Sequence, residues 1–134
     1  MCDIKWIQFQ ELGDDRGSLV AIEIGDSKEI PFIVQRVYYI YRTGSGVSRG
    51  FHAHRRLKQV AFAVAGNCEM VLDDGKKRTK VCLNSPTKGI LIENNIWREM
   101  RNFSDDCVLL VLASEHYDEG DYIRDYDEFL RSVR

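Results

Sequence analysis

A chain of 134 residues fits one domain, residues 1–134, with a core large enough to need no disulfide or metal staple. Nineteen lysines and arginines against 21 acidic residues give a formal charge of −2, and both signs are interspersed, so no global field selects a nucleic acid or a membrane surface as partner. An anionic ligand must therefore be met by local groups, and no apolar run approaches the roughly 18 residues of a membrane-spanning helix.

The amino-terminal stretch MCDIKWIQFQEL lacks the apolar centre of a signal peptide, which points to a soluble cytoplasmic protein. Cys2, Cys68, Cys82 and Cys107 are widely spaced without a Cys-x-x-Cys pair, and three of them sit in apolar strand-like runs. That pattern suits buried free thiols in a reducing compartment.

Short β-type runs alternate with turn signals along the chain, which argues for an all-β sandwich or barrel. Residues 4–10 (IKWIQFQ) read as a terminal strand, Asp14-Asp15-Arg16-Gly17 as a turn, and 18–25 (SLVAIEIG) as a second strand. A loop follows from Gly25 to Pro31, whose proline cannot hold a central ladder position. Residues 34–43 (VQRVYYIYRT) are rich in β-branched and aromatic side chains and end in the Gly44-Ser45-Gly46 loop. RGFHAH continues from Arg49, and KQVAFAVAGNCEMVLDDG reads as two strands about a turn at Gly66-Asn67, with a further turn at Asp74-Gly75. KRTKVCLN (77–84) alternates, Ser85-Pro86 turns, and 89–103 carries the next strands. CVLLVLASE (107–115) is continuously apolar and reads as buried on both faces. In the tail, Tyr122, Ile123, Tyr126, Phe129, Leu130 and Val133 fall at helical spacing. This predicts a helix over 121–132 with Asp121 as N-cap and Arg131 and Arg134 near its carboxyl end.

Residues i and i+2 of a strand share a face, so His52 and His54 project together, opposite Ala53 and Phe51. Two imidazoles on one strand face are either solvated surface groups, a metal site, or acid–base machinery. Gln59 keeps the phase of an inward position, with Ala61 and Ala63 leaving room beside it. Tyr39 is a candidate hydroxyl donor to a ligand, although only one of Tyr38 and Tyr39 can face inward. Arg16, Arg49 and Lys58 are candidate partners for an anionic group. His116 reads as surface, and Asp118 and Glu119 as helix-start charges.

His52-x-His54, four residues, Gln59, six residues and Gly66 together resemble the first motif of the cupin superfamily, whose glycine makes a hairpin turn. Gly89 with Arg98 and Asn102 resembles the second motif. The resemblance implies a cupin-type jelly-roll sandwich with a ligand site in the barrel mouth. It departs at two metal-ligand positions, where Gln59 replaces a glutamate and Arg98 a histidine. A neutral amide is a poor ligand and a guanidinium repels a divalent ion, so the sequence predicts a site with no metal and no other cofactor.

More narrowly, RVYYIY (36–41), RGFHAHRRLKQ (49–59), WREM (97–100) and VLLVLASEHYDEGDYIRDYDEF (108–129) resemble the WxcM-like, FdtA- and QdtA-type sugar-nucleotide 3,4-ketoisomerases. This resemblance covers essentially the whole chain. It implies a dTDP-linked keto sugar, dTDP-4-keto-6-deoxy-D-glucose, as substrate. The product would be aminated later at C3 on the way to a surface polysaccharide or an antibiotic. It also implies a homodimer with exchanged amino-terminal strands, His52 as the base, His54 as an orienting or shuttling group, and Arg98 as a stabiliser of oxygen charge. The sequence leaves open the configuration at C4 of the product. Two other readings are a metal-dependent cupin enzyme and a catalytically silent sugar-nucleotide-binding module. The His–Asp and Tyr pairing of the related 3,5-epimerases is not visible in the sequence.

Overall fold

The computed structural model describes residues 3–25 and 29–134. In chain order its elements are β1 (Lys5–Gln8), β2 (Leu12–Asp14), β3 (Gly17–Leu19), β4 (Arg36–Tyr41), β5 (Arg49–His54), β6 (Gln59–Ala65), β7 (Cys68–Asp73), β8 (Arg78–Leu83), β9 (Lys88–Ile92), β10 (Trp97–Arg101), β11 (Val108–Ala113), a 3-10 turn (Glu119–Asp121), β12 (Tyr122–Ile123) and α1 (Tyr126–Ser132). Among the described residues the strands form two five-stranded antiparallel sheets, ordered β1-β9-β6-β11-β4 and β12-β5-β10-β7-β8, with β2 and β3 pairing only with each other. This is the jelly-roll sandwich expected of a cupin.

Period-two alternation builds three apolar layers. Ala61, Ala63, Ile90, Ile92, Leu109 and Val111 of the first sheet face Cys68, Met70, Leu72, Leu83 and Met100 of the second, closing the central core. The opposite parity of the first sheet, Val60, Phe62 and Leu112, is covered by Phe9, Ile30 and the segment carrying Val20, Ile22, Phe32 and Val34. On the outer face of the second sheet, Ala53 and Trp97 pack under Ile123 and Phe129 of the tail. Each of these large apolar side chains contributes about 1.5–3 kcal/mol by leaving water. The continuous apolarity of β11 follows, since it lies between β6 and β4 and has apolar layers on both faces.

Several sequence expectations change. The strand placed at 18–25 is ordered as a strand only over Gly17–Leu19; beyond it Val20 and Ile22 bury themselves against the sheet face instead of joining a ladder. The loop from Gly25 to Pro31 falls partly outside the described residues, as does Cys2. The turn at Gly66-Asn67 is no hairpin, because β6 pairs with β9 and β11 while β7 pairs with β8 and β10, so the chain crosses between sheets there. Gly66 sits at φ +63° and any Cβ would collide with Ser104 Oγ, which is why the crossing requires glycine. Lastly, the helix begins at Tyr126 with Asp125 as N-cap, five residues after the sequence places it. Its Oδ1 accepts from Asp127 N and Glu128 N, while Asp121 is drawn into the interior by the site described below. Of the three described cysteines, Cys68 and Cys107 are buried, whereas Cys82 is exposed on β8, an outer strand. Among the described residues no helix is long and apolar enough to cross a membrane.

Candidate active site

The histidine strand β5 lies between β12 and β10, with Arg98 directly opposite His52 in register. Just before His52 the ladder slips at a β-bulge facing Arg98 and Glu99, where Gly50 takes φ +91° and Phe51 φ +59°. A Cβ on Gly50 would come within 3.0 Å of the Arg98 carbonyl oxygen, so the residue must be glycine. The bulge turns Phe51 outward and brings the Gly50 carbonyl to 3.1 Å from His52 Nδ1. A carbonyl only accepts, so Nδ1 carries the proton and Nε2 keeps its lone pair.

His54 follows on the same inner face, its ring 4.9 Å from that of His52 and nearly perpendicular to it. It is fully buried, and its Nδ1 lies 3.2 Å from Asp121 Oδ2. Tyr122, paired with His54 in the ladder, lays its ring 4.9 Å from His52 and 4.4 Å from His54. Burial, reinforced by the Arg98 cation, lowers both imidazoles from the ordinary value of 6.5, His52 to about 4. Both are therefore neutral at pH 7.

Beneath the histidines runs a polar chain. Arg98, 2 % exposed, donates from Nη1 to Gln59 Oε1 and from Nη2 to the Ile96 carbonyl at 3.0 Å, while its Nε has no partner among the described residues. Gln59 in turn donates from Nε2 to Tyr38 Oη at 2.8 Å. Having accepted that bond, Tyr38 can give its own proton to whatever occupies the cavity. Burial pulls Arg98 down to about 10, still a cation at neutral pH, and raises Tyr38, which stays protonated.

Tyr38 and His52 line a cavity of about 300 Å³ together with Arg36, Arg49, Tyr122 and Arg124, among others. A void of about 20 Å³ shares Tyr38 and His52 with it and reaches Gln59, Ala61 and Arg98. The cavity has the size of a small-ligand site. Arg124 is tied to Glu119 at 2.8 Å and lies 4.1 Å above the Tyr122 ring; Arg36 lies against Tyr38 and Tyr117. Three guanidinium groups on one rim make a place for an anion in a chain of near-neutral charge. A second cavity, about 400 Å³, lies on the outer side of the first sheet among Leu19, Val20, Ile22, Val37, Phe62 and Leu110. It contains no histidine and is mostly apolar.

The structure brings together His52, His54, Gln59, Arg98 and Arg49 of the sequence candidates. It does not bring in the other three. Tyr39 is 61 % exposed on the outer face of β4, against Tyr41, and Tyr38 holds the inward place instead. Lys58 precedes the inward Gln59 and so points away from the cavity, its backbone N–H held by Ser114 Oγ. Arg16 sits in the exposed β2–β3 turn, paired with Asp14. Sequence reasoning missed Tyr38, Arg36, Tyr122, Arg124 and Asp121. Both faces of β4 are apolar or aromatic, so parity there is ambiguous, and a helical apolar spacing hid β12. His54, Asp121 and Tyr122 thus come together only through the pairing of β12 with β5.

As a metal site the donor set does not fit. Among the described residues no three His, Cys, Asp or Glu side chains cluster to hold an ion, and Gln59 is engaged by the Arg98 guanidinium.

The family profile described as FdtA, WxcM-like, C-terminal, matches residues 2–134. A TDP-4-oxo-6-deoxy-alpha-D-glucose-3,4-oxoisomerase from Aneurinibacillus thermoaerophilus is 49 % identical over 129 residues, 96 % of this chain and 91 % of the relative. The crystal structure of a 3,4-ketoisomerase from Helicobacter canadensis is 53 % identical with a TM-score of 0.92, covering 98 % of this chain and 97 % of the other. The ketoisomerase QdtA of Thermoanaerobacterium thermosaccharolyticum, solved as a mutant with TDP-4-keto-6-deoxyglucose bound, is 38 % identical with a TM-score of 0.94, covering 99 % and 95 %. On this fold, this site and these similarities, the chain belongs to the WxcM-like family of sugar-nucleotide 3,4-ketoisomerases.

Proposed function

We propose that the protein converts dTDP-4-keto-6-deoxy-D-glucose into a dTDP-3-keto-6-deoxyhexose by proton transfer through an enediolate. The observation that carries this reading is a neutral imidazole, His52, with Nδ1 held by the Gly50 carbonyl and Nε2 free, lining a cavity rimmed by arginines. His52 Nε2 takes the proton from C3, acidified by the C4 carbonyl, and the electron pair forms the C3–C4 double bond with charge on O4. The Tyr38 hydroxyl and the Arg98 cation stabilise that oxygen. Protonation of O4, loss of the O3 proton and delivery of a proton to C4 leave the ketone at C3. Oxidation at one carbon balances reduction at the next, so the isomerisation needs no external oxidant or reductant. Arg36, Arg49 and Arg124 are placed to meet the diphosphate.

The product feeds C3 amination on the route to a deoxyamino sugar of a surface polysaccharide or antibiotic. We infer a single cytoplasmic domain acting as a homodimer, with neither nucleic acid nor membrane as partner. Support for the dimer is an outer strand β4 that exposes Val37, Tyr39 and Tyr41, and a β2–β3 pair with no ladder to the other described residues. A proton NMR time course with dTDP-4-keto-6-deoxy-D-glucose tests the activity: a new 3-keto species is expected, and an unchanged spectrum overturns the reading.

A further inference from the structure

Asp121 is a buried carboxylate, 3 % exposed, in a chain whose other acidic side chains are mostly at the surface. Its surroundings are all donors. Oδ1 accepts from Arg56 N at 2.8 Å, Oδ2 from Leu57 N at 3.2 Å, and the Arg56 guanidinium stands 3.7 Å from Oδ1. The Asp121 carbonyl also accepts from Arg55 N at 2.9 Å, so the 3-10 turn is tied at several points to the end of β5. Both carboxylate oxygens already accept a backbone hydrogen, so towards its neighbours the carboxylate acts as an acceptor and has no hydrogen to give. His54 Nδ1, 3.2 Å from Oδ2, can then only donate.

We propose that Asp121 is a positioning residue: its carboxylate holds His54 in the Nδ1–H tautomer, so that Nε2 keeps its lone pair and His54 acts as a second proton acceptor beside His52. The inference rests on the ketoisomerase reading. It deepens that reading by giving the two histidines the same tautomer from two different anchors, a backbone carbonyl for His52 and a buried carboxylate for His54. The ring geometry fits. Nε2 lies across the imidazole from Asp121, on the inner face that His54 shares with His52. The isomerisation moves protons on oxygen as well as on carbon, from O3 and onto O4, and a single base at C3 does not account for both. A neutral, correctly oriented second imidazole does. The buried negative charge also offsets the Arg98 cation whenever the histidine pair carries a proton during turnover.

The test reads the tautomer directly. Long-range proton–nitrogen NMR of the histidine-labelled wild-type protein should show His54 with a protonated Nδ1 and an unprotonated Nε2. Asp121→Asn places an amide donor among these donors. It should lower kcat by about 10² to 10⁴-fold, the range for loss of a general base or its tautomer, with KM for the nucleotide sugar little changed. A purely structural role would instead lower the melting temperature and leave kcat per folded molecule intact, which overturns the proposal. An Nε2–H tautomer in the wild type overturns it too, whether or not Asp121→Asn folds. If the wild type fails to isomerise the sugar, the ketoisomerase reading falls, and the spectrum still decides the tautomer.

Discussion

Replacing His52 by asparagine removes the base and little else. The introduced amide has the reach to keep a donor near the Gly50 carbonyl, which His52 Nδ1 meets at 3.1 Å, so the bulge at Gly50–Phe51 has no reason to move. What disappears is the Nε2 lone pair, because an amide accepts no proton near pH 7. Removal of a general base slows the chemical step by about 10² to 10⁴-fold, which at about 1.4 kcal/mol per tenfold is about 3–5 kcal/mol of lost transition-state stabilisation. Binding should hold, since Arg36, Arg49 and Arg124 on the rim are untouched, so the loss should fall on kcat with KM almost unchanged. Exchange at C3 of the bound sugar in deuterated water isolates the step assigned to His52. Wild-type protein should incorporate deuterium there and His52→Asn should not. If His52→Asn exchanges at the wild-type rate while His54→Asn does not, the roles are reversed, and if both exchange normally the histidine pair is structural.

Four further outcomes follow from the same geometry. His52 is held to about 4 by burial and the Arg98 charge, so kcat/KM should stay flat from pH 8 down through the ordinary 6.5 and fall only towards about 4; an acid limb centred near 6.5 would contradict the assignment. The sign for folding is the same: the unfolded chain takes up this proton near 6.5 and the folded one near 4, so stability declines as pH drops through that window, readable by denaturant titration. Arg49→Ala, which removes a cation from the cavity rim, should raise KM for the nucleotide sugar with kcat nearly constant, and an unchanged KM would take Arg49 out of the site. Exhaustive chelation should leave turnover intact, because Gln59 and Arg98 are bonded to each other where a metal would need ligands; activity lost on chelation and restored by one divalent ion would reverse that reading.

Much was decided by the sequence alone. The period-two runs dictated an all-β sandwich, and the i, i+2 spacing of His52 and His54 put both imidazoles on one face whatever the rest of the chain did, because strand geometry is local. Gln59, Ala61 and Ala63 shared an inward parity for the same reason. Where both parities of a run are apolar, as in Arg36–Tyr41, the choice between Tyr38 and Tyr39 depends on which face meets the second sheet, and that is a tertiary fact. Likewise Gly66 reads locally as a hairpin turn, yet its strands find better partners in opposite sheets. Tyr122 carried helical spacing and Asp121 read as the N-cap, but short helical patterns are weak against a ladder with β5 and a buried cluster of donors. Local periodicity thus determined which side chains can point inward together, and only long-range packing decided that residues 67 positions apart, His54 and Asp121, share one hydrogen bond.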